Sequence, residues 1–306
     1  MRSFRFRSLA SGSAGNATLI EAPCAAQNEP FRVLVDCGLN LRQLRAHLHH
    51  DGLDVNDIQA IFVTHEHSDH VGACFDLAAR LQIPVWSSYG TWHGAGQPDC
   101  AGMWQPAYDG QAILWGDMSA TPFTVPHDSR EPLQLVITHN QQRLALLTDL
   151  GHVTEHVLAH VRGCHAILLE FNHDPDLLQN SRYPAFLKRR ISGRLGHLSN
   201  AAAAALLREV IHPGLHAVVA GHLSKQNNQV AHVQQWMQQA TQGYQVVLSI
   251  ASQELGSPWV ELPSSSVCNS TQVLIEQTIA GILESPLEAI VVTSAVADTE
   301  GSPYAT

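Results

Sequence analysis

The chain has 306 residues, 45% of them hydrophobic, enough to bury a substantial core in one large domain or two small ones. Its formal net charge of -10 opposes long-range attraction to polyanions, so any nucleic-acid role requires a local basic patch. No stretch approaches the ~20 apolar residues of a membrane span, the start "MRSFRFRSLASGSAGN" lacks the apolar core of a secretory signal, and the six cysteines form no C-x-x-C pair. A membrane protein, a disulfide scaffold and a thiolate zinc site are thereby disfavoured, and a cytoplasmic protein with reduced thiols is expected.

In chain order, short apolar runs alternate with helical segments up to about residue 262. "ATLIEA" (17–22) and "FRVLVDCG" (31–38) predict early strands, the second closing at Asp36. "IQAIFVT" (58–64) predicts a third strand, and "HVGACFDLAARLQ" (70–82) a helix that Pro84 stops. "IPVWSS" (83–88) reads as a strand, residues 90–111 as a loop rich in Gly, Pro and aromatics, and "SATPFTVPHD" as a strand running to His127. A second series begins with "LQLVITH" and "RLALLTDLG", the latter ending at Asp149, followed by a helix "TEHVLAHVRG". "HAILLEFNHD" predicts a strand ending in Asn172 and His173. Two helices follow, "PAFLKRRIS" and "SNAAAAALLREVI", the second capped by Ser199 or Asn200. "HAVVAGHLS" is a strand to His222, "QVAHVQQWMQQA" a helix, and "YQVVLSIAS" a strand. The organisation expected is a domain over 1–262 and a tail over 263–306. The tail has no histidine, lysine or arginine, contains one predicted helix at "TQVLIEQTIAGILE", and is assigned no chemistry.

Histidine is the compositional outlier, with 19 copies against 17 lysines and arginines combined. It concentrates in "FVTHEHSDHVG" (62–72), directly behind an apolar run. His65 and His67 lie two apart in extended chain and point to one side, and Asp69 and His70 follow as the chain turns toward a helix. Four ligand-type side chains can thus face a volume of a few ångströms, which suits a pair of divalent cations. Glu66 points the other way and stays outside that set. Both halves of the chain also show strands ending in His or Asp, and strand ends on one edge of layered sheets converge on a crevice.

"THEHSDH" resembles the H-x-H-x-D-H signature of the metallo-β-lactamase-fold hydrolases. "SLASGSAGN", "LLEFNHD", "RYP", "GHLSN" and "HLSKQNN" are similar to motifs of the YycJ/WalJ-like (VicX) branch, regarded as exonucleases, and the resemblance spans residues 3 to about 250. It implies a four-layer αββα fold of the α/β (α+β) class and three further ligands, His127 from "VPHD", Asp149 from "LLTDLG" and His222 from "AGHLSKQNN". One cation is then expected among His65, His67 and His127, and the other among Asp69, His70 and His222, with Asp149 bridging. Imidazole and carboxylate donors suit Zn2+, and Mn2+ tolerates the oxygen-richer second position. Such a pair lowers the pKa of water to about 7 and supplies a hydroxide nucleophile.

Asp36 is expected to orient a ligand histidine through its free ring N–H, the alternative being a turn carboxylate. His173 and His197 are candidates to protonate a leaving oxygen or hold a phosphate, beside Asp69 and Asp149 as catalytic carboxylates; a satisfied structural histidine is the competing reading. Ser11, Ser13 and Asn16, in a glycine-rich loop of the kind that binds anions, and Lys225 are candidates for substrate contact. Lys188, Arg189, Arg190 and Arg194 supply the local basic patch or a solvated helix face, and Tyr183 and Trp92 are candidates to stack on a base. The function expected is a dinuclear phosphodiesterase or exonuclease on nucleic acid, DNA favoured over RNA. The alternatives are hydrolysis of a small ester, thioester, lactone or cyclic phosphodiester, and a non-catalytic regulatory protein that keeps the fold.

Overall fold

Along Ala166–Glu170 every residue is buried, yet Ala166 and Leu168 pack into one core while Ile167 and Leu169 pack into another. Successive strand residues point to opposite faces, so this strand is covered on both sides. A computed structural model of the chain describes residues 3–263 and shows that arrangement throughout the centre of two sheets. The helix expected at 271–284 lies outside the described residues.

In chain order the strands are β1 (Phe4–Ala10), β2 (Ala17–Ala22), β3 (Phe31–Val35), β4 (Ala60–Phe62), β5 (Val85–Ser87), β6 (Trp104–Pro106), β7 (Ile113–Trp115), β8 (Met118–Thr124), β9 (Leu133–His139), β10 (Gln142–Leu147), β11 (Ala166–Glu170), β12 (Ala217–Gly221), β13 (Val247–Ile250) and β14 (Val260–Leu262). The helices are α1 (Leu41–His50), α2 (Ser68–Val71), α3 (Cys74–Leu81), α4 (Tyr89–Gly94), α5 (Glu155–Val161), α6 (Pro175–Asn180), α7 (Ala185–Ile191), α8 (Asn200–Val210) and α9 (Val230–Ala240). One sheet is ordered β14-β1-β2-β3-β4-β5-β6 and the other β13-β12-β11-β10-β9-β8-β7. Each opens with antiparallel strands and then turns parallel, at β3–β4 in the first and at β10–β11 in the second.

Phe6, Ile20 and Phe62 of the first sheet meet Leu135, Leu146, Leu168 and Val219 of the second in the core between them. Leu44 and Leu48 of α1 and Leu77 and Ala78 of α3 cover the outer face of the first sheet. Val157 of α5, Leu206 and Leu207 of α8, and Val233 and Met237 of α9 cover the outer face of the second. The expected four layers, αββα, are therefore present, as two mixed sheets flanked by helices.

Several local expectations are corrected. The single helix read over 70–82 is two, because Gly72 sits at φ 27° and a Cβ there would lie 2.1 Å from the Cys37 carbonyl oxygen; the chain must break to pass β3. The loop read over 90–111 holds most of α4 and all of β6, and α1 and α6 were not anticipated. The strands read as ending at His127 and His173 stop at Thr124 and Glu170, so these histidines stand on the loops beyond. Loops leaving the carboxyl ends of β3, β4, β10, β11 and β12 open on one edge of the sandwich, where α/β architectures place their chemistry.

Candidate metal centre

Three of the residues at that edge hold backbones that side-chain-bearing residues rarely adopt: Asp36 at φ 57°, Asp149 at φ 54° and His222 at φ 54°. Each left-handed residue costs on the order of 1 kcal/mol, and the surroundings hold it in place. The Asp36 amide donates to the Phe62 carbonyl at 2.8 Å, the His222 amide to Ser11 Oγ at 2.7 Å, and the amide after Asp149, that of Leu150, to Glu170 Oε2 at 3.0 Å. Asp69 and His70 lie in α2, which begins directly after His67. Close backbone approach seats that turn: the Asn16 amide donates to the Asp69 carbonyl at 2.7 Å, and a Cβ on Gly38 would fall 1.9 Å from the same oxygen.

These elements bring the donor atoms of His65, His67 and His127 within 4.8 Å of one another, and likewise those of Asp69, His70 and His222. Asp149 joins both neighbourhoods, in one set with His65 and His70 and in another with His222, His197 and Glu170. All seven side chains singled out as ligands in the sequence converge. Asp149, His70 and His222 are almost wholly buried, with 2%, 0% and 2% exposure.

Every buried imidazole of the set has one nitrogen tied to an acceptor, which fixes its tautomer and aims the other inward. His70 Nδ1 donates to Asp36 Oδ2 at 2.8 Å, His65 Nδ1 to Thr64 Oγ1 at 3.0 Å, His127 Nδ1 to the Gly196 carbonyl at 3.1 Å, and His222 Nδ1 to Glu170 Oε1 at 3.0 Å. His65 Nε2 and His127 Nε2 then carry lone pairs, yet each faces His67 Nδ1, at 3.1 and 3.2 Å. His67 Nδ1 has one proton at most, so at least one of these approaches is lone pair on lone pair. His222 Nε2 and Asp149 Oδ2 are buried without a hydrogen-bond partner, although Asp149 Oδ2 lies 2.5 Å from His70 Nε2. Lone pairs gathered among His65, His67 and His127 with too few protons between them are what a divalent cation satisfies, and the buried Asp69, His70, His222 and Asp149 donors fit a second.

The metal-free electrostatics tell the same story. Burial lowers the pKa of His70, but the Asp149 and Asp36 carboxylates outweigh it and raise the imidazole to about 10. Burial likewise opposes protonation of His197, and Glu170 and Asp149 lift it to about 9. The buried Asp149 is held well below the usual carboxylate range despite burial, by His222 and His70. Protons thus take up the charge that cations would neutralise.

The remaining candidates fall into two groups. His197 joins the centre, its Nδ1 2.8 Å from Glu170 Oε1 and 3.0 Å from Asp149 Oδ1. His173 is buried with Nδ1 unpartnered, and burial lowers its pKa against the field of Glu170. Asp36 Oδ2 accepts from His70 Nδ1. Ser11 and Asn16 face inward: Ser11 Oγ fixes the His222 backbone, and the Asn16 amide group lies 3.0 Å from His70 Nε2. Ser13 and Lys225 are exposed. Glu66 turns away, its Oε1 accepting from the Arg130 amide at 2.8 Å. Trp92 stacks on Trp104 at 4.6 Å, while Tyr183 is half-buried beside the exposed start of α7. Within the basic patch Arg190 pairs with Asp128 at 2.5 Å, Lys188 donates to the Gln179 carbonyl, Arg194 meets His152, and Arg189 is exposed. Glu170 was missed in the sequence; its signal was a lone carboxylate closing an apolar strand.

A family model described as "Beta-lactamase superfamily domain" matches residues 31–222. The chain is 34% identical over 229 residues to "Exodeoxyribonuclease YycJ" of Bacillus anthracis, spanning 73% of this chain and 83% of that protein. It is 30% identical over 237 residues to "Exodeoxyribonuclease WalJ" of Streptococcus pneumoniae, spanning 75% of this chain and 86% of the relative. Among solved structures, the metallo-β-lactamase-fold protein YhfI from Bacillus subtilis superposes with a TM-score of 0.63 at 14% identity, covering 85% of this chain and 100% of that one.

Proposed function

The chain belongs to the β-lactamase superfamily, in the branch of the YycJ and WalJ relatives, and from that premise we propose that it is a two-metal exodeoxyribonuclease. It is a metal-dependent hydrolase. The observation that carries the reading is the shell of buried imidazoles of which one nitrogen each is tied to an acceptor, leaving the other aimed at a common centre. His65, His67 and His127 would hold one ion and Asp69, His70 and His222 the other, with Asp149 between them. The all-imidazole first set favours Zn2+, while the second, with its carboxylates, also accepts Mn2+. When bound, two such cations supply Lewis acidity toward the phosphate and an activated water at neutral pH.

The chain's own residues do the rest. His197 Nδ1 is held by Glu170, so its ring presents Nε2 away from the carboxylates, and with 22% of the side chain exposed a substrate can reach it. The Glu170 carboxylate beside it favours the charged imidazole, the form that can donate to a leaving oxygen. Asp36 and Thr64 keep two ligand histidines in orientation. Arg189 and Lys225 are exposed cations suited to backbone phosphates, and Arg190 reaches toward the centre through Asp128, which lies 3.5 Å from His127 Nε2. Ser13 adds an exposed hydroxyl on the glycine-rich loop. Five free cysteines among the described residues, four of them buried, are in keeping with a reducing cytoplasm.

Metal content, measured together with cleavage of end-labelled single- and double-stranded DNA and RNA, tests the reading. Two ions per chain and progressive shortening of DNA from one end, lost in Asp149→Ala, are expected. Two ions with no polymer cleaved, and turnover of small esters or cyclic phosphodiesters instead, would overturn the nuclease.

A further inference from the structure

A second group of ligand-type side chains converges away from this centre, at the outer side of the second sheet. Asp109, on the segment between β6 and β7, and His156 and His160 of α5 bring one donor atom each within 4.8 Å of one another. None of the three takes part in the centre described above. We propose that they form a third cation site, which takes one divalent ion of the zinc class with water completing its coordination.

Spacing and orientation carry the assignment. Residues four apart on a helix are neighbours on one face, and the two imidazoles stand 4.6 Å apart at 66°. His160 Nδ1 donates to the His156 carbonyl at 2.9 Å, which sets the tautomer and leaves Nε2 with its lone pair. The same ring stacks on Phe123 at 4.6 Å and 10°, so its plane is fixed as well. Asp109 is held from behind by Thr124, whose amide and hydroxyl donate to Oδ2 at 3.0 and 2.5 Å. His156 Nε2 lies 3.0 Å from that oxygen, with both side chains open to solvent. A bare surface ion pair accounts for His156 and Asp109, and the Phe123 stack for the His160 ring, but neither calls for a second imidazole donor atom beside that pair. Two imidazoles, one carboxylate and an open face make up the donor set of a three-ligand zinc site. An ion there ties α5 to the loop before β7 and to Thr124 at the end of β8, three residues before His127.

The test counts ions. Metal-free full-length protein is titrated with Zn2+ against a chromophoric chelator, and bound zinc is measured after gel filtration, for the wild type, the His156→Gln/His160→Gln double variant and Asp109→Asn. The wild type is expected to hold one zinc more than either variant, with hydrolysis retained in both. Equal zinc content in all three overturns the site. The difference between chains is the readout, so the result does not depend on how many ions the main centre holds. If the double variant fails to fold, Asp109→Asn, an exposed change that keeps both histidines, decides alone.

Discussion

Asp36 Oδ2 accepts from His70 Nδ1 at 2.8 Å and, on the same oxygen, from Thr64 Oγ1, which in turn faces His65 Nδ1 at 3.0 Å. One carboxylate therefore orients two histidines, one directly and one through a hydroxyl, and the proposed two-metal site gives these two to different ions. Asp36→Asn is the informative variant, because asparagine tolerates the left-handed backbone at φ 57° and keeps one oxygen for the Thr64 amide, while its NH2 group replaces the oxygen that accepts from His70 and Thr64 Oγ1. We expect zinc affinity to fall about 10- to 100-fold with the fold intact. Chelator competition reads the affinity, and an unchanged value would show that Asp36 is only a turn residue.

Glu170 and His197 form the second pairing with a functional consequence. His197→Ala should retain both ions and lose kcat by roughly 10²- to 10⁴-fold, the usual range for a general acid. Glu170→Gln should keep part of that activity and shift its pH profile. The sign follows from the pairing: the Glu170 carboxylate favours the charged imidazole of His197, so the acid is present on the low-pH side of its titration and lost on the high-pH side. Without the carboxylate the pKa falls, and the alkaline limb of kcat should move to lower pH. A profile identical to that of the wild type would remove Glu170 from the proton path.

What the sequence reveals of this centre depends on how local each part is. His65, His67, Asp69 and His70 are legible because the chain supplies them within six positions, at spacings that fix their side. Glu170 is not, since its meaning lies in partners 27 and 52 residues away, His197 and His222. The same holds for the fold. The apolar strands β9 to β12 stand out, whereas α1 buries only Leu44 and Leu48 in an otherwise polar segment, too narrow a stripe to register. The break between α2 and α3 is set by the carbonyl of Cys37, a contact no local pattern encodes.

Metal loading should release protons. In the metal-free centre His70 is held at about 10 and His197 at about 9, so His70, as a ligand, must give up a proton to bind a cation even at pH 7. Affinity is then expected to fall as pH falls, and calorimetry in buffers of different ionisation enthalpy should find at least one proton released as the ions bind. The same shifts give the metal-free protein its own pH dependence. A histidine raised from 6.5 to about 10 on folding contributes stability that is fully present below pH 6.5 and is lost as pH rises toward 10. Chelated protein should therefore melt earlier at pH 9 than at pH 6.5, and zinc should erase most of that difference.

Gly38 is required by a backbone contact rather than by its own conformation. In Gly38→Ala the new Cβ would fall 1.9 Å from the Asp69 carbonyl oxygen, and neither backbone has a flexible end to move. The expected outcome is a loss of about 1 to 3 kcal/mol in stability. Asp69 would shift with its turn, so zinc in the Asp69, His70 and His222 set should weaken while the His65, His67 and His127 set is less affected. A variant with wild-type melting temperature and metal content would show that α2 yields freely.

Arg189 and Arg190 sit side by side on α7 and should fail differently. Arg189 is exposed, and its reversal to Glu should weaken DNA binding evenly across sequences and lower the salt slope by about 1 to 2, since each phosphate contact contributes roughly 0.9. Arg190 already neutralises Asp128 at 2.5 Å, and that carboxylate lies 3.5 Å from His127 Nε2 and 3.8 Å from His67 Nε2. Arg190→Ala leaves the carboxylate uncompensated beside two ligand histidines, so its effect should reach zinc affinity and turnover as well as DNA binding. Fluorescence anisotropy over a salt series, paired with zinc titration, separates the two. Identical behaviour of both variants would mean that the Arg190–Asp128 pair is a surface contact with no hold on the metal centre.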